Sequence, residues 1–188
     1  MPLIETAEFR HAEAIAALHA ASWRATYRGI LRDDFLDHAA SQALLELWRE
    51  RLRQPAASAG RWIGRIETDG ALEAFACLFL DADPRWGAVL DNLHVAPDLH
   101  GRGLGRALIA AAADWVMGER PGSGLHLWVY SRNTPARRFY ERLGGQLAGG
   151  KLGTALDGGP VDTVRYVWPR PAELAAAARI PARPGAAS

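Results

Sequence analysis

Residues 100–107 read His100-Gly101-Arg102-Gly103-Leu104-Gly105-Arg106-Ala107 and join an apolar run to an amphipathic one. Three glycines within five positions let the backbone take conformations closed to other residues and let a ligand come close to the main chain. Where such a turn leads from a strand into a helix, the unpaired N–H groups and positive dipole end of the first helical turn form a site for a phosphate or diphosphate. The stretch therefore calls for a strand–turn–helix unit with a ligand at the strand's carboxyl end.

Two common phosphate fingerprints fail on spacing. A Gly-x-Gly-x-x-Gly/Ala dinucleotide motif started at Gly101 places Arg106 at its sixth position, and started at Gly103 places Leu108 there. A Gly-x-x-x-x-Gly-Lys-Ser/Thr loop needs a lysine that follows none of these glycines.

With 188 residues, 49% hydrophobic and 23% charged, the chain suits one soluble domain large enough to bury a full core. A net charge of +1 supplies no global field toward nucleic acid or a membrane surface, so a small or peptide-like partner is expected, with neither of those. The single cysteine, Cys77, lies in the apolar run 74–80 and reads as a buried structural thiol suited to a reducing compartment. Residues 1–5 lack the opening of a secretory signal, and no uncharged apolar stretch approaches a membrane span, so a cytoplasmic protein is expected. The six histidines and the acidic residues show no metal-ligand spacing, and no metal is expected.

The periodicity predicts a strand over 3–7, a helix over 10–21 with Ile15 and Leu18 on one stripe, and a helix over 34–52 ended by Gln54-Pro55. Strands over 61–68 and 71–80 flank Asp69-Gly70, a pair suited to a tight hairpin. A strand over 86–95, a helix over 103–117 and a strand over 124–130 make a β-α-β unit around the glycine turn. Asn133 caps the next helix, Gly144-Gly145 stop it, and strands over 146–156 and 161–168 surround Asp157-Gly158-Gly159-Pro160. Residues 1–170 read as one domain, and 171–188 as an Ala/Pro-rich tail that is poorly ordered apart from a turn of helix at 171–179.

With His100, Gly103 and Gly105 at its first, fourth and sixth positions, the turn resembles motif A of the GNAT N-acetyltransferase superfamily, Arg/Gln-x-x-Gly-x-Gly/Ala, with His for Arg or Gln. The order of elements from 3 to 168 is also that family's. The resemblance implies an α/β (α+β) GNAT fold: a central, mixed, mostly antiparallel, splayed sheet of about seven strands flanked by about four helices. It implies acetyl-CoA as co-substrate, direct attack by a small-molecule or peptide amine, no acyl-enzyme on Cys77, and compatibility with a homodimer.

Carried over by position, the resemblance implies that Leu93, His94 and Val95 pair with the pantetheine arm through backbone, and that a bulged N–H near Leu93 stabilises the oxyanion. Gly101, Arg102, Gly103, Leu104, Gly105 and Arg106 would hold the diphosphate. Asn133 would touch the cofactor arm, and Tyr140, seven residues on, would protonate the leaving thiolate. The side chains alone also fit plainer roles: Leu93 and Val95 as core residues, Asn133 as an N-cap, Tyr140 as a packing aromatic beside Ala136 and Leu143. The segment Ser22-Trp23-Arg24-Ala25-Thr26-Tyr27-Arg28-Gly29 would wall the acceptor pocket, with Trp23 and Tyr27 as contacts, unless Trp23 merely closes the core. Its aromatics and arginines suit an acceptor with an apolar or anionic part.

The family's usual base positions hold Val89 and Trp128, and neither accepts a proton. A lysine-like amine of pKa ~10.4 is neutral only about once in two thousand molecules at pH 7, so a proton acceptor helps. By strand alternation Asp91 shares the face of Val89, and His126 that of Trp128, so either can act through water unless a bulge upsets the parity. The missing base also leaves open an acyl-CoA-binding module without catalysis.

Overall fold

A computed structural model describes residues 2–54 and 60–180. The chain opens with a short strand β1 (Glu5–Thr6) and two helices, α1 (Ala12–Thr26) and α2 (Ala40–Arg53). The helical path expected from residue 34 is present but divided, because Phe35–Ala39 form a wider π turn that buries Phe35 and Leu36 before α2 begins. Pro55, expected to end this helix, lies outside the described residues. Strands β2 (Arg61–Thr68), β3 (Ala71–Asp83) and β4 (Gly87–Val95) follow, then α3 (Leu104–Glu119), β5 (Leu125–Tyr130), α4 (Thr134–Arg142), β6 (Gln146–Thr154) and β7 (Pro160–Trp168). Asp69 and Gly70, at φ 51° and 80°, make the left-handed pair that a two-residue hairpin between β2 and β3 requires.

The seven strands form one sheet in the order β1-β2-β3-β4-β5-β7-β6, antiparallel except between β4 and β5. Alternation along β3 divides the core. Phe75 and Cys77 pack beneath α1 and α2 with Ile15, Leu44 and Trp48, while Ala74, Ala76 and Leu78 pack beneath α3 with Leu108, Ile109 and Ala112. Trp48 is fully buried and keeps its indole N–H satisfied by donating to His19 Nδ1 at 3.0 Å.

Two irregularities in β4 shape everything that follows. Cys77 pairs with Asn92 but Leu78 with Leu90, so Asp91 is the extra residue of a bulge. The parallel ladder with β5 consists of Ala88 with Leu125 and Val89 with His126, and it stops there. Beyond it the two strands part, and among the described residues β4 from Leu90 to Val95 has no strand partner on the β5 side.

The packed unit extends past residue 170. Pro171–Arg179 form a helix, α5, with Leu174 and Ala175 at 1% and 2% exposure in the core under α3. A proline in the first turn costs no intrahelical bond, and the small residues after it allow close approach to α3. The fifth helix thus adds to the four the sequence suggested; residues 181–188 lie outside the described residues.

Candidate active site

A cavity of about 990 Å³ opens where β4 and β5 part. One side is β4 from Leu90 to Val95, the other β5 from Leu127 to Tyr130. The glycine turn closes one end, α4 contributes Asn133, Phe139 and Tyr140, and the end of α1 contributes Ser22, Trp23, Thr26 and Tyr27. The fold therefore brings Asp91, Leu93, His94, Val95, residues 101–106, Asn133, Tyr140, Trp23 and Tyr27 to the wall of one cavity.

In the turn, Gly101 and Gly103 take φ of 81° and 85°, left-handed values that residues with a Cβ adopt at a cost. Gly103 is the N-cap of α3, so the free N–H groups of Leu104, Gly105 and Arg106 follow directly at the cavity wall. A Cβ built at Gly101 or Gly103 meets nothing within 4 Å, so space is open where a ligand would lie against the loop. His100, at the family's Arg/Gln position, puts Nε2 3.1 Å from the carbonyl oxygen of Val95 and ties the loop to the end of β4. The guanidinium of Arg106 faces away, to carbonyls of α5, so only its backbone N–H is placed for a diphosphate.

Asn133 is an N-cap, its Oδ1 accepting from the N–H of Ala136 at 3.2 Å. Tyr27, also on the cavity wall, is a phenol that burial pushes up to about 12. Tyr140 is buried against Trp168 and Tyr166 and lines the cavity; burial, with Tyr27 nearby, raises its pKa, so it stays protonated at neutral pH. The packing role and the cavity position coexist in this side chain.

Asp91 is the only carboxylate among the described residues lining the cavity. Its bulge breaks the alternation that would have matched it to Val89, and its Oδ2 lies 2.6 Å from Nη1 of Arg51 on α2. The bulge falls at Asp91, whereas the resemblance implied a bulged N–H near Leu93. His126 is not on the cavity wall: it is buried beside Asp83 and Arg165, its pKa lowered by burial and then by Arg165. His94 turns its ring toward α1, 4.1 Å between centroids from His19, with Nδ1 2.9 Å from the Ser22 hydroxyl; burial brings its pKa down to about 3. That ring is a poor base, which leaves the backbone of His94 as its contribution to the cavity edge. Burial pushes the Cys77 thiol up to about 12, far from a nucleophilic thiolate.

Tyr130 and Trp128 line the cavity beside Tyr27, Tyr130 at 5.0 Å between ring centroids, but the arginines of the α1 end do not. Arg24 donates to Ser41, and Arg28 pairs with Asp33 and Asp37. Sequence reading missed Tyr130, although period-two spacing from Trp128 puts it on the same face. It also missed Ala178, Arg179 and Ile180 of the C-terminal segment, for which the sequence carries no signal of where the helix docks.

Residues 14–145 match the model of the acetyltransferase (GNAT) family, which is more than half of the chain. The chain belongs to the GNAT family. Among relatives, a probable N-acetyltransferase of Mycobacterium tuberculosis is 29% identical over 129 residues, covering 68% of this chain and 70% of its own. The streptothricin acetyltransferase of Streptomyces lavendulae is 39% identical over 83 residues, covering 42% of this chain and 41% of its own. The fold matches the PaiA N-acetyltransferase of Thermoplasma acidophilum, solved in complex with coenzyme A, with a TM-score of 0.67 and 17% identity over 89% of this chain and 99% of that one. The seven-stranded, mostly antiparallel sheet is thus a GNAT sheet, and the GNAT match spans β4, the glycine turn and α4 but ends before β6, β7 and α5. No described helix is long and apolar enough to cross a membrane, and no group of three or more candidate metal ligands occurs among the described residues.

Proposed function

We propose that the cavity binds acetyl-CoA and that the protein catalyses acetyl transfer from the thioester directly to an amine. The observation that carries this reading is the parting of β4 from β5 after Val89, which leaves an unpaired strand edge leading to the glycine turn. An extended amide-bearing arm finds ladder partners on that edge, and a diphosphate finds the N–H groups that open α3. In the balanced reaction the amine nitrogen bonds to the acetyl carbon, the carbon–sulfur bond breaks, and the products are an amide and a free thiol.

Tyr140 is the proton donor to the departing sulfur: its phenol lies at the cavity wall and burial keeps it protonated. Asp91 receives the amine's proton through water, being the carboxylate on the wall, while Arg51 holds it in place. Asn133 orients the arm's end of α4. Trp23, Tyr27, Trp128 and Tyr130 make the acceptor end aromatic, and Asp91 is the one carboxylate among the described residues of the wall. Such a wall favours an amine with an apolar or aromatic body over a polyamine, which would need several carboxylates.

The test combines melting temperature with turnover. Acetyl-CoA and CoA should each raise the melting temperature, and an amine panel assayed by CoA thiol release should show turnover. Stabilisation without turnover of any amine would favour the acyl-CoA-binding module, and no stabilisation would overturn both readings.

A further inference from the structure

Arg106 stands in the first turn of α3, where its charge would suit a diphosphate, yet among the described residues its side-chain hydrogen bonds go to α5. Nε donates to the carbonyl of Ala178 at 3.2 Å, and Nη2 donates to those of Ala177 and Ile180, the latter at 2.5 Å. These carbonyls belong to the end of α5, where a helix leaves acceptors unpaired and carries the negative end of its dipole. Arg179 makes a second tie, to Asp114 of α3, and Leu174, Ala175 and Ala178 are buried beneath. Held this way, Ala178, Arg179 and Ile180 border the same cavity as the glycine turn. This segment lies after residues 14–145, the span matched by the family model.

We infer that α5 is part of the donor site: its last turn forms the outer wall at the glycine-turn end of the cavity, and Arg106 is the positioning residue that holds it there. The inference rests on reading the cavity as a CoA site. Arg106 also cancels the partial negative charge of the carbonyls that would otherwise face a diphosphate. Docking of α5 and binding of CoA therefore favour one another, since each is easier once the other is in place.

The experiment uses the full chain and CoA as probe. Hydrogen exchange of the amides of residues 174–180 should slow on adding CoA, together with those of β4 and the glycine turn. Arg106→Gln should weaken CoA binding about tenfold or more by calorimetry. Leu174→Ala, which loosens α5 without touching the turn, should raise the KM for acetyl-CoA severalfold while leaving kcat at saturation within about twofold. An Arg106 that merely ligates the diphosphate gives weaker binding in Arg106→Gln but normal KM in Leu174→Ala and no protection of α5, and that pattern overturns the inference. Protection of β4 by CoA without protection of α5 also overturns it, even if Arg106→Gln fails to fold. Absence of CoA binding to the unaltered chain instead overturns the donor-site reading beneath it.

Discussion

The glycines of the turn do two different jobs, and alanine substitutions separate them. Gly103 caps α3 at φ 85°, where a Cβ has room but the backbone conformation is unfavourable. Holding alanine there costs roughly 1–2 kcal/mol, which for a chain of this size lowers the melting temperature by about 2–8 °C. Gly105 lies inside α3 with no positive φ, and a Cβ there would meet Val95 Cγ2 at 3.7 Å and Phe139 Cζ at 3.8 Å, both ordinary contacts. Gly105→Ala removes the conformational penalty of a helical glycine, roughly 0.5–1 kcal/mol, so the melting temperature should rise by about 1–4 °C. Because the diphosphate is held by N–H groups whose direction Gly103 sets, CoA affinity should fall in Gly103→Ala and stay within about twofold in Gly105→Ala. This asymmetry gives a physical reason for the motif's strict glycine at the fourth position and its tolerance of alanine at the sixth. Scanning calorimetry and titration with CoA on the two variants make the test; shifts of the same sign, or loss of CoA binding in Gly105→Ala alone, would refute the reasoning.

Tyr140→Phe should lower kcat about 10- to 100-fold with the KM for acetyl-CoA nearly unchanged, and unchanged turnover removes the phenol from the reaction. Asp91→Asn should flatten the acidic limb of the pH–rate curve; an unaltered limb assigns the proton to bulk water. Trp23→Ala should raise the acceptor KM severalfold while acetyl-CoA KM is preserved, measured by steady-state kinetics with the best amine of the panel. His94 and His19 are buried with lowered pKa values, so the folded state binds fewer protons than the unfolded chain once pH drops below about 6.5. The His94 contribution is complete above that pH and is lost as pH falls toward about 3, with a slope of about 1.4 kcal/mol per pH unit per proton, and that of His19 changes in the same direction. Urea midpoints of the unaltered chain and of His94→Phe across pH 5–7 should show the variant with the shallower fall, and parallel curves would refute it.

Most of the fold was legible because its signals are local. The Asp69-Gly70 hairpin, the Asn133 cap and the glycine N-cap of α3 are each fixed by a residue whose own backbone preference matches the conformation found. The candidate site was legible to the same extent, since the β-α-β unit brings β4, the turn and α4 together by connectivity alone. Where reading failed, the decisive contact lay far along the chain. Alternation placed Asp91 beside Val89, but the bulge and the ion pair with Arg51, forty residues earlier in α2, set its true surroundings. The resemblance implied Arg106 among the residues that hold the diphosphate, yet three carbonyls more than seventy residues later take its side-chain hydrogen bonds. The Ala-rich stretch before residue 180 looked like tail because a helix of small residues has little apolar surface of its own to announce it. It is ordered by what it docks on: α3 supplies the core that Leu174 and Ala175 enter, and Arg106 supplies the cap its last carbonyls lack. The same loop that opens toward a diphosphate on one side therefore closes the C-terminal helix on the other, and a change to either side should be felt across it.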